Sequence, residues 1–192
     1  MFSFHRRSAS QLDNWLTRQG QLLLSYPHVG CTNGAAPASY VVDHNRQLLG
    51  YGAAVFAAGC AALQRWAMFD LGWVTAYPTT TPLTVGAVVS VIARFGPLQI
   101  WNACRIVYTV DYDGPVQQWG FAYGTLPGHV ARGEERFLIE WNRATDEVFY
   151  DLLAYSQPQH PLAKIGYPIV RRMQARFARD SKAAMLAAVA SC

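Results

Sequence analysis

Between Gly72 and Gln157 the chain is built of six short runs rich in Val, Ile, Tyr, Phe and Trp. They read "GWVTAYP", "LTVGAVVSVIARF", "LQIWNACRIVYTVDYD", "VQQWGFAYGTLP", "GEERFLIEWN" and "EVFYDLLAYSQ". The breaks between them, Pro78 to Pro82, Gly96-Pro97, Asp113-Gly114-Pro115, Pro127-Gly128 and Arg143 to Asp146, are turn chemistry and nothing more. Connections this short cannot hold a parallel crossover, so the six runs are expected to pair as antiparallel neighbours. After them the period changes. Leu162, Ile165, Ile169, Met173, Phe177 and Ala184 recur at steps of three, four or seven, which predicts one long helix with an apolar stripe. It begins at Pro161 or Pro168 and runs to about Ala188. Pro168, behind Gly166, should kink it or start it afresh.

Upstream, residues 10–24 have helical spacing at Leu12, Trp15, Leu16 and Gln19, with Ser10 as a possible N-cap. "YPHVGCTNGAAPAS" (26–39) is a loop and the one plausible linker, although what precedes it is too small for a domain. "YVVDHNRQLLG" (40–50) reads as a strand. Residues 51–70 read as a helix on Val55, Phe56, Cys60, Leu63 and Ala67, and its many small residues permit close packing. At 192 residues this is one domain. Its parts are an N-terminal helix and loop (1–39), a strand, helix and antiparallel sheet (40–157) and a C-terminal helix (158–192).

A strand, a helix, six strands and a long helix fit one architecture well. The chain is expected to be an α+β helix-grip domain, a curved antiparallel sheet of about seven strands wrapped around the terminal helix. That layout resembles START domains, plant pathogenesis-related proteins and polyketide cyclases, in which sheet and helix enclose an apolar cavity. A closer resemblance lies in "RFGPLQIWNACRIVYTVD", "GFAYGTLPGHVARGEERFLIEW" and "SQPQHPLAKIGYPIVRRMQARFARDS". These segments are similar, in order, to the uncharacterised DUF1990 family over roughly residues 12 to 185. The resemblance implies the helix-grip fold. It carries over no reaction and no catalytic residue.

Several function classes lose support from composition and spacing. The longest apolar run, Gly50 to Leu63, is short of the roughly 20 residues needed to span a bilayer. The N-terminus lacks an apolar segment of signal-peptide type, so a soluble, cytoplasmic protein is expected. Cys31, Cys60, Cys104 and Cys192 are far apart, without zinc spacing, and read as reduced thiols. No metal and no cofactor motif is found, and neither glycine pattern of nucleotide-binding loops occurs. Net charge is +4, and the segment from Pro158 onward holds six basic residues against the single acid Asp180. Arg172, Arg176 and Arg179 form a basic stripe there, without the interleaved aromatics that bind nucleic acid. Weak contact with an anionic membrane surface or a partner remains open.

The candidate site residues come from strand alternation. In "GFAYGTLPGH", Trp119, Phe121, Tyr123 and Thr125 share one face, and Gly120, Ala122 and Gly124 the other. The bare face invites close approach by the terminal helix or by a ligand, and helix packing is the plainer reading. Asn102, Cys104, Ile106 and Tyr108 share a face of their strand. If they point inward, Asn102 and Tyr108 would be polar points in an apolar cavity. Arg105, on the opposite face, could pair with Glu140 or Asp151. His129, Glu134 and Glu135 could be an acid–base trio, but a solvated hairpin tip looks the same. The expectation is a domain that binds a hydrophobic or amphipathic small molecule, or a lipid. Asn102, Tyr108, Phe121, Tyr123, Phe137, Tyr150, Met173 and Phe177 are its candidate contacts. The alternative is a cyclase- or hydrolase-type enzyme using His129, Glu135 or Tyr123. Whether any reaction is catalysed, and how many copies assemble, stays open.

Overall fold

A computed structural model describes residues 2–3, 8–160 and 166–190. Its elements, in chain order, are β1 (Phe2–Ser3), α1 (Ala9–Gly20), β2 (Val41–Tyr51), α2 (Gly52–Gln64), β3 (Val74–Tyr77) and β4 (Val88–Phe95). They continue with β5 (Leu98–Tyr112), β6 (Val116–Thr125), β7 (Ala131–Asn142), β8 (Glu147–Pro158) and α3 (Tyr167–Ala190). Short 3-10 turns occupy Cys31–Asn33 and Ala67–Phe69. The main sheet runs β2-β8-β7-β6-β5-β4-β3, every pair antiparallel. This is the seven-stranded helix-grip sheet that the turn chemistry predicts. An eighth strand, β1, was not legible: two residues pair with Gln99 and Ile100, a stretch of β5 that precedes its pairing with β6.

The concave face of the sheet is filled at one end by large rings. Phe121 stacks on Phe137 at 5.2 Å between centroids, Trp66 meets Phe121 edge-on at 5.1 Å, and Phe69 meets Phe137 at 5.6 Å. Such pairs add specific geometry to an already large apolar burial. α2 lies close over this end, as its small residues suggest. A Cβ at Gly59 would sit 3.1 Å from the Ile139 side chain, so only glycine allows this approach without displacement. α3 holds the same core through Ala178, Ser181 and Met185, and the Tyr150 and Ser181 hydroxyls are 2.9 Å apart.

Part of the convex face is covered too, which the strand pattern does not announce. α1 buries Leu12, Trp15 and Leu16 against Ile92, Trp101, Ala103 and Leu126, with Trp15 edge-on to Trp101 at 5.5 Å. Its N-cap is Ser8, in a capping box with Gln11, rather than Ser10. Arg105 does not pair with Glu140 or Asp151. Its guanidinium donates to the carbonyls of Gly20 (2.7 Å) and Leu22 (2.8 Å), closing the C-terminal end of α1. The 26–39 segment is not a linker but a strap lying on the sheet. Its Tyr26 sits over Gly124, where any side chain would collide with the ring. At Gly124 the small face of β6 therefore receives the strap rather than the terminal helix.

The terminal helix starts at Tyr167, with Pro168 in its first turn, where the missing N–H costs no hydrogen bond. Leu162, Lys164 and Ile165 lie outside the described residues, as does Cys192. Ile169, expected in the buried stripe, is 62% exposed. Met173 and Phe177 are half-buried. The upper half of the stripe faces a space and not a packed core, and that space is the candidate site.

Candidate functional site: a cavity between the sheet and the terminal helix

Beyond the aromatic end of the concave face, the inward residues become small. Ala93 on β4, Ala154 and Ser156 on β8 and Ala178 on α3 leave a cavity of about 640 Å³. Its apolar walls are Val91, Ile100, Leu152, Phe69, Met173 and Phe177, and Ile169 lies along its α3 side. The volume falls within the roughly 300–1,000 Å³ typical of small-molecule sites.

The polar groups on these walls are few. Asn102 is inward, as its strand position predicts, and its Oδ1 accepts from the Val130 amide at 3.2 Å. Tyr123 and Glu135 meet across β6 and β7, with the phenol donating to the carboxylate at 2.5 Å. Burial pushes the Glu135 carboxyl up to about 7, although the Tyr123 hydrogen bond favours its charged form and Asp43 disfavours it. The same burial drives the Tyr123 phenol well above its ordinary value. His129 is not at a solvated tip. It is half-buried on the cavity wall, and its Nδ1 accepts from the Ala131 amide at 3.0 Å. Burial holds this imidazole neutral, lowering it to about 3. Asp43, at the rim, is gripped by the Arg171 guanidinium at 2.5 and 2.6 Å.

The trio of His129, Glu134 and Glu135 is split between two faces. Alternation along β7 sends Glu134 to the convex side, where it is 2% exposed. There its carboxylate accepts from the Tyr26 hydroxyl (2.7 Å), the Gly30 amide (2.7 Å), the Thr32 amide (2.9 Å) and the Thr32 hydroxyl. Tyr108 joins this group and not the cavity. A bulge between Ile106 and Tyr108 reverses the alternation of β5, so Tyr108 reaches the Thr32 hydroxyl at 2.6 Å. Thr32 has given its proton to Glu134, so Tyr108 is the donor in that bond.

Of the other expected contacts, Tyr123, Met173 and Phe177 lie on the cavity wall with Asn102. Phe121, Phe137 and Tyr150 are fully buried in the packed aromatic end. Sequence reasoning missed Glu135's partnership with Tyr123, although both were candidates, because their pairing depends on the β6–β7 register. It also missed Ala93 and Ala154, which matter by being small.

A family model described as a domain of unknown function (DUF1990) matches residues 25–184. The chain belongs to that family. Relatives include a UPF0548 protein of Dictyostelium discoideum, 34% identical over 100% of this chain and 97% of its own length. A UPF0548 protein of Deinococcus radiodurans is 34% identical over the whole of both chains, and one of Arabidopsis thaliana is 33% identical over 77% of this chain and 72% of its own. Among solved structures, Ara h 8.0201 aligns with TM-score 0.48 and 11% identity over 78% of this chain and 99% of that one. Norcoclaurine synthase from Thalictrum flavum aligns with TM-score 0.42 and 10% identity over 84% and 92%.

Outside the cavity, the basic stripe of α3 is partly engaged. Arg176 and Arg179 both contact Asp180, at 3.3 and 2.9 Å, and Arg176 lies 4.4 Å over the Trp73 ring. Arg172, Arg176 and Arg179 are all exposed, as the helical spacing predicts. Among the described residues no helix is long and apolar enough to cross a membrane.

Proposed function

We propose that the protein binds one amphipathic small molecule in the cavity between the sheet and α3, its apolar part along the aliphatic wall. The observation that carries this reading is a space of about 640 Å³ walled by apolar side chains, next to an aromatic end whose Phe121, Phe137 and Tyr150 are fully buried. Small residues at 93, 154 and 178 hold it open, and a few polar groups at Asn102, His129 and the Tyr123–Glu135 pair would orient the ligand. Saturable binding of a neutral apolar dye, with little dependence on salt, tests it. Ala154→Phe should fill the space from the wall, abolishing dye binding while keeping a cooperative thermal transition. Dye binding that survives in the filled variant, or occurs only on unfolding, would sink the reading.

A second reading, an acid–base enzyme in the same cavity, is supported by the Glu135 proton being held to about pH 7, in the range that suits proton transfer. It requires that a bound molecule be returned chemically altered by the protein and unaltered by Glu135→Gln.

A further inference from the structure

We propose, resting on the binding reading above, that the cavity selects amphipaths ending in a basic nitrogen, with Glu135 as the carboxylate that receives it. The inference starts from what surrounds Glu135 on each side. From β6, Tyr123 donates one hydrogen bond at 2.5 Å. From β8, the cross-strand neighbour is Ala154, which offers no polar group. From β2 comes a second carboxylate, Asp43, already held by Arg171 of α3. α3 presents apolar side chains and Gln174 to the cavity, with the Gln174 amide engaged with Ser156 (3.1 Å) and Arg171 (2.7 Å), and its Lys182 reaches the lining only at Asn45 Oδ1 (3.5 Å). The nearby Cys104 and Tyr150 stay uncharged because burial raises both, and His129 stays neutral because burial lowers it. Among the described residues lining the cavity there is no Lys and no Arg.

A carboxylate has about four lone-pair sites, and one phenol satisfies one of them. The remaining acceptor capacity faces apolar space, where an opposite charge is worth more than in water. A ligand carboxylate would meet Glu135 as a like charge, with Asp43 paired to Arg171. A ligand hydroxyl could donate one hydrogen bond but brings no opposite charge. An alkylammonium supplies up to three donors and the missing charge, and charge-assisted bonds are roughly twice as strong as neutral ones. Charging is part of the recognition, because Glu135 ionises only as pH passes about 7. The amine itself, like a lysine of pKa about 10.4, stays protonated throughout that range.

The test is displacement of bound Nile red by decylamine, decanol and decanoate at about pH 6 and about pH 8.5. Decylamine should gain about tenfold in apparent affinity between the two, as the ionised fraction of Glu135 rises toward one. Decanol should change much less, and decanoate should be the weakest of the three at the higher pH. Glu135→Gln, which can still accept the Tyr123 bond, should keep a cooperative thermal transition and lose both the amine preference and its pH dependence. The inference is overturned if decylamine is no better than decanol at the higher pH. It is equally overturned if decanoate binds best, or if Glu135→Gln keeps the pH dependence. Displacement by decanol without amine preference leaves the binding reading standing and removes this inference alone. Failure of the dye to bind at all removes both.

Discussion

On the convex face of the sheet, Glu134 accepts four hydrogen bonds from the strap; on the concave face, its neighbour Glu135 accepts one, from Tyr123. The two carboxylates differ by one step along β7 and by everything they face. Glu134 is built into the fold, because four backbone or side-chain groups of residues 26–32 would lose their acceptor without it. Glu135 sits beside open apolar volume with acceptor capacity left over. The same contrast extends across the sheet. Leu12, Trp15 and Leu16 pack tightly against β4 and β5 on the convex side, while Ala93 and Ala154 keep part of the concave side unfilled. A fully satisfied polar group holds a structure together, and a partly satisfied one beside a cavity is available to a ligand.

The largest effect should come from breaking the satisfied side. Glu134→Ala is expected to cost about 3 kcal/mol or more in urea unfolding, since the donors of Tyr26, Gly30 and Thr32 all lose their acceptor in a buried place. A cost below about 1 kcal/mol would mean that water or the strap's own mobility replaces the carboxylate.

The cavity side should show itself through pH. Folding raises Glu135 from 4.5 to about 7, so the native state binds the extra proton between those values and loses that stability as pH rises through them. Folding lowers His129 from 6.5 to about 3, so the native state refuses a proton that the unfolded chain accepts. His129 therefore contributes stability above 6.5 that is lost as pH falls toward 3. The two slopes oppose each other between 4.5 and 6.5. Relative to the parent, Glu135→Gln should make stability rise more steeply with pH across that window, and His129→Asn should make it fall. Urea midpoints at several pH values check this, and identical slopes in both variants would contradict the burial of these groups.

Tyr26→Phe is a gentler probe of the convex side. It removes one of four donors from Glu134 and leaves the ring over Gly124, for an expected cost of about 1 kcal/mol. The smallest effect belongs to α3's outer face. Arg172→Ala should change stability by less than about 0.5 kcal/mol, as an exposed substitution. Vesicle attachment through the basic stripe should vanish near physiological salt, where the Debye length is about 8 Å. Binding that persisted there would favour docking on an anionic surface.

Much of this arrangement is legible in the sequence, and the parts that are not share a cause. The five turns separate six antiparallel strands, and the change of period at the C-terminus marks the helix. Period-two alternation correctly sends Asn102 and Tyr123 inward. It fails at Tyr108, because one extra residue in the β5 bulge reverses the face and nothing in "RIVYTV" marks it. It also cannot say that Gly124 is bare in order to seat Tyr26, a residue 98 positions earlier (124 − 26). Strap and cavity both depend on long-range juxtaposition: which small residue lies opposite which large one. Ile169 has the right spacing for burial yet lies 62% exposed, since periodicity reports a face and not what covers it.

The most direct measurement of the central claim is a methyl NMR titration of the full chain with decanol, because it reads both faces of the sheet at once. The account predicts saturable shifts at Val91, Ile100, Leu152 and Met173 on the cavity wall, with Leu12 and Leu16 beneath α1 unmoved. Shifts centred on the convex cluster, or equal small shifts on both faces that never saturate, would contradict it.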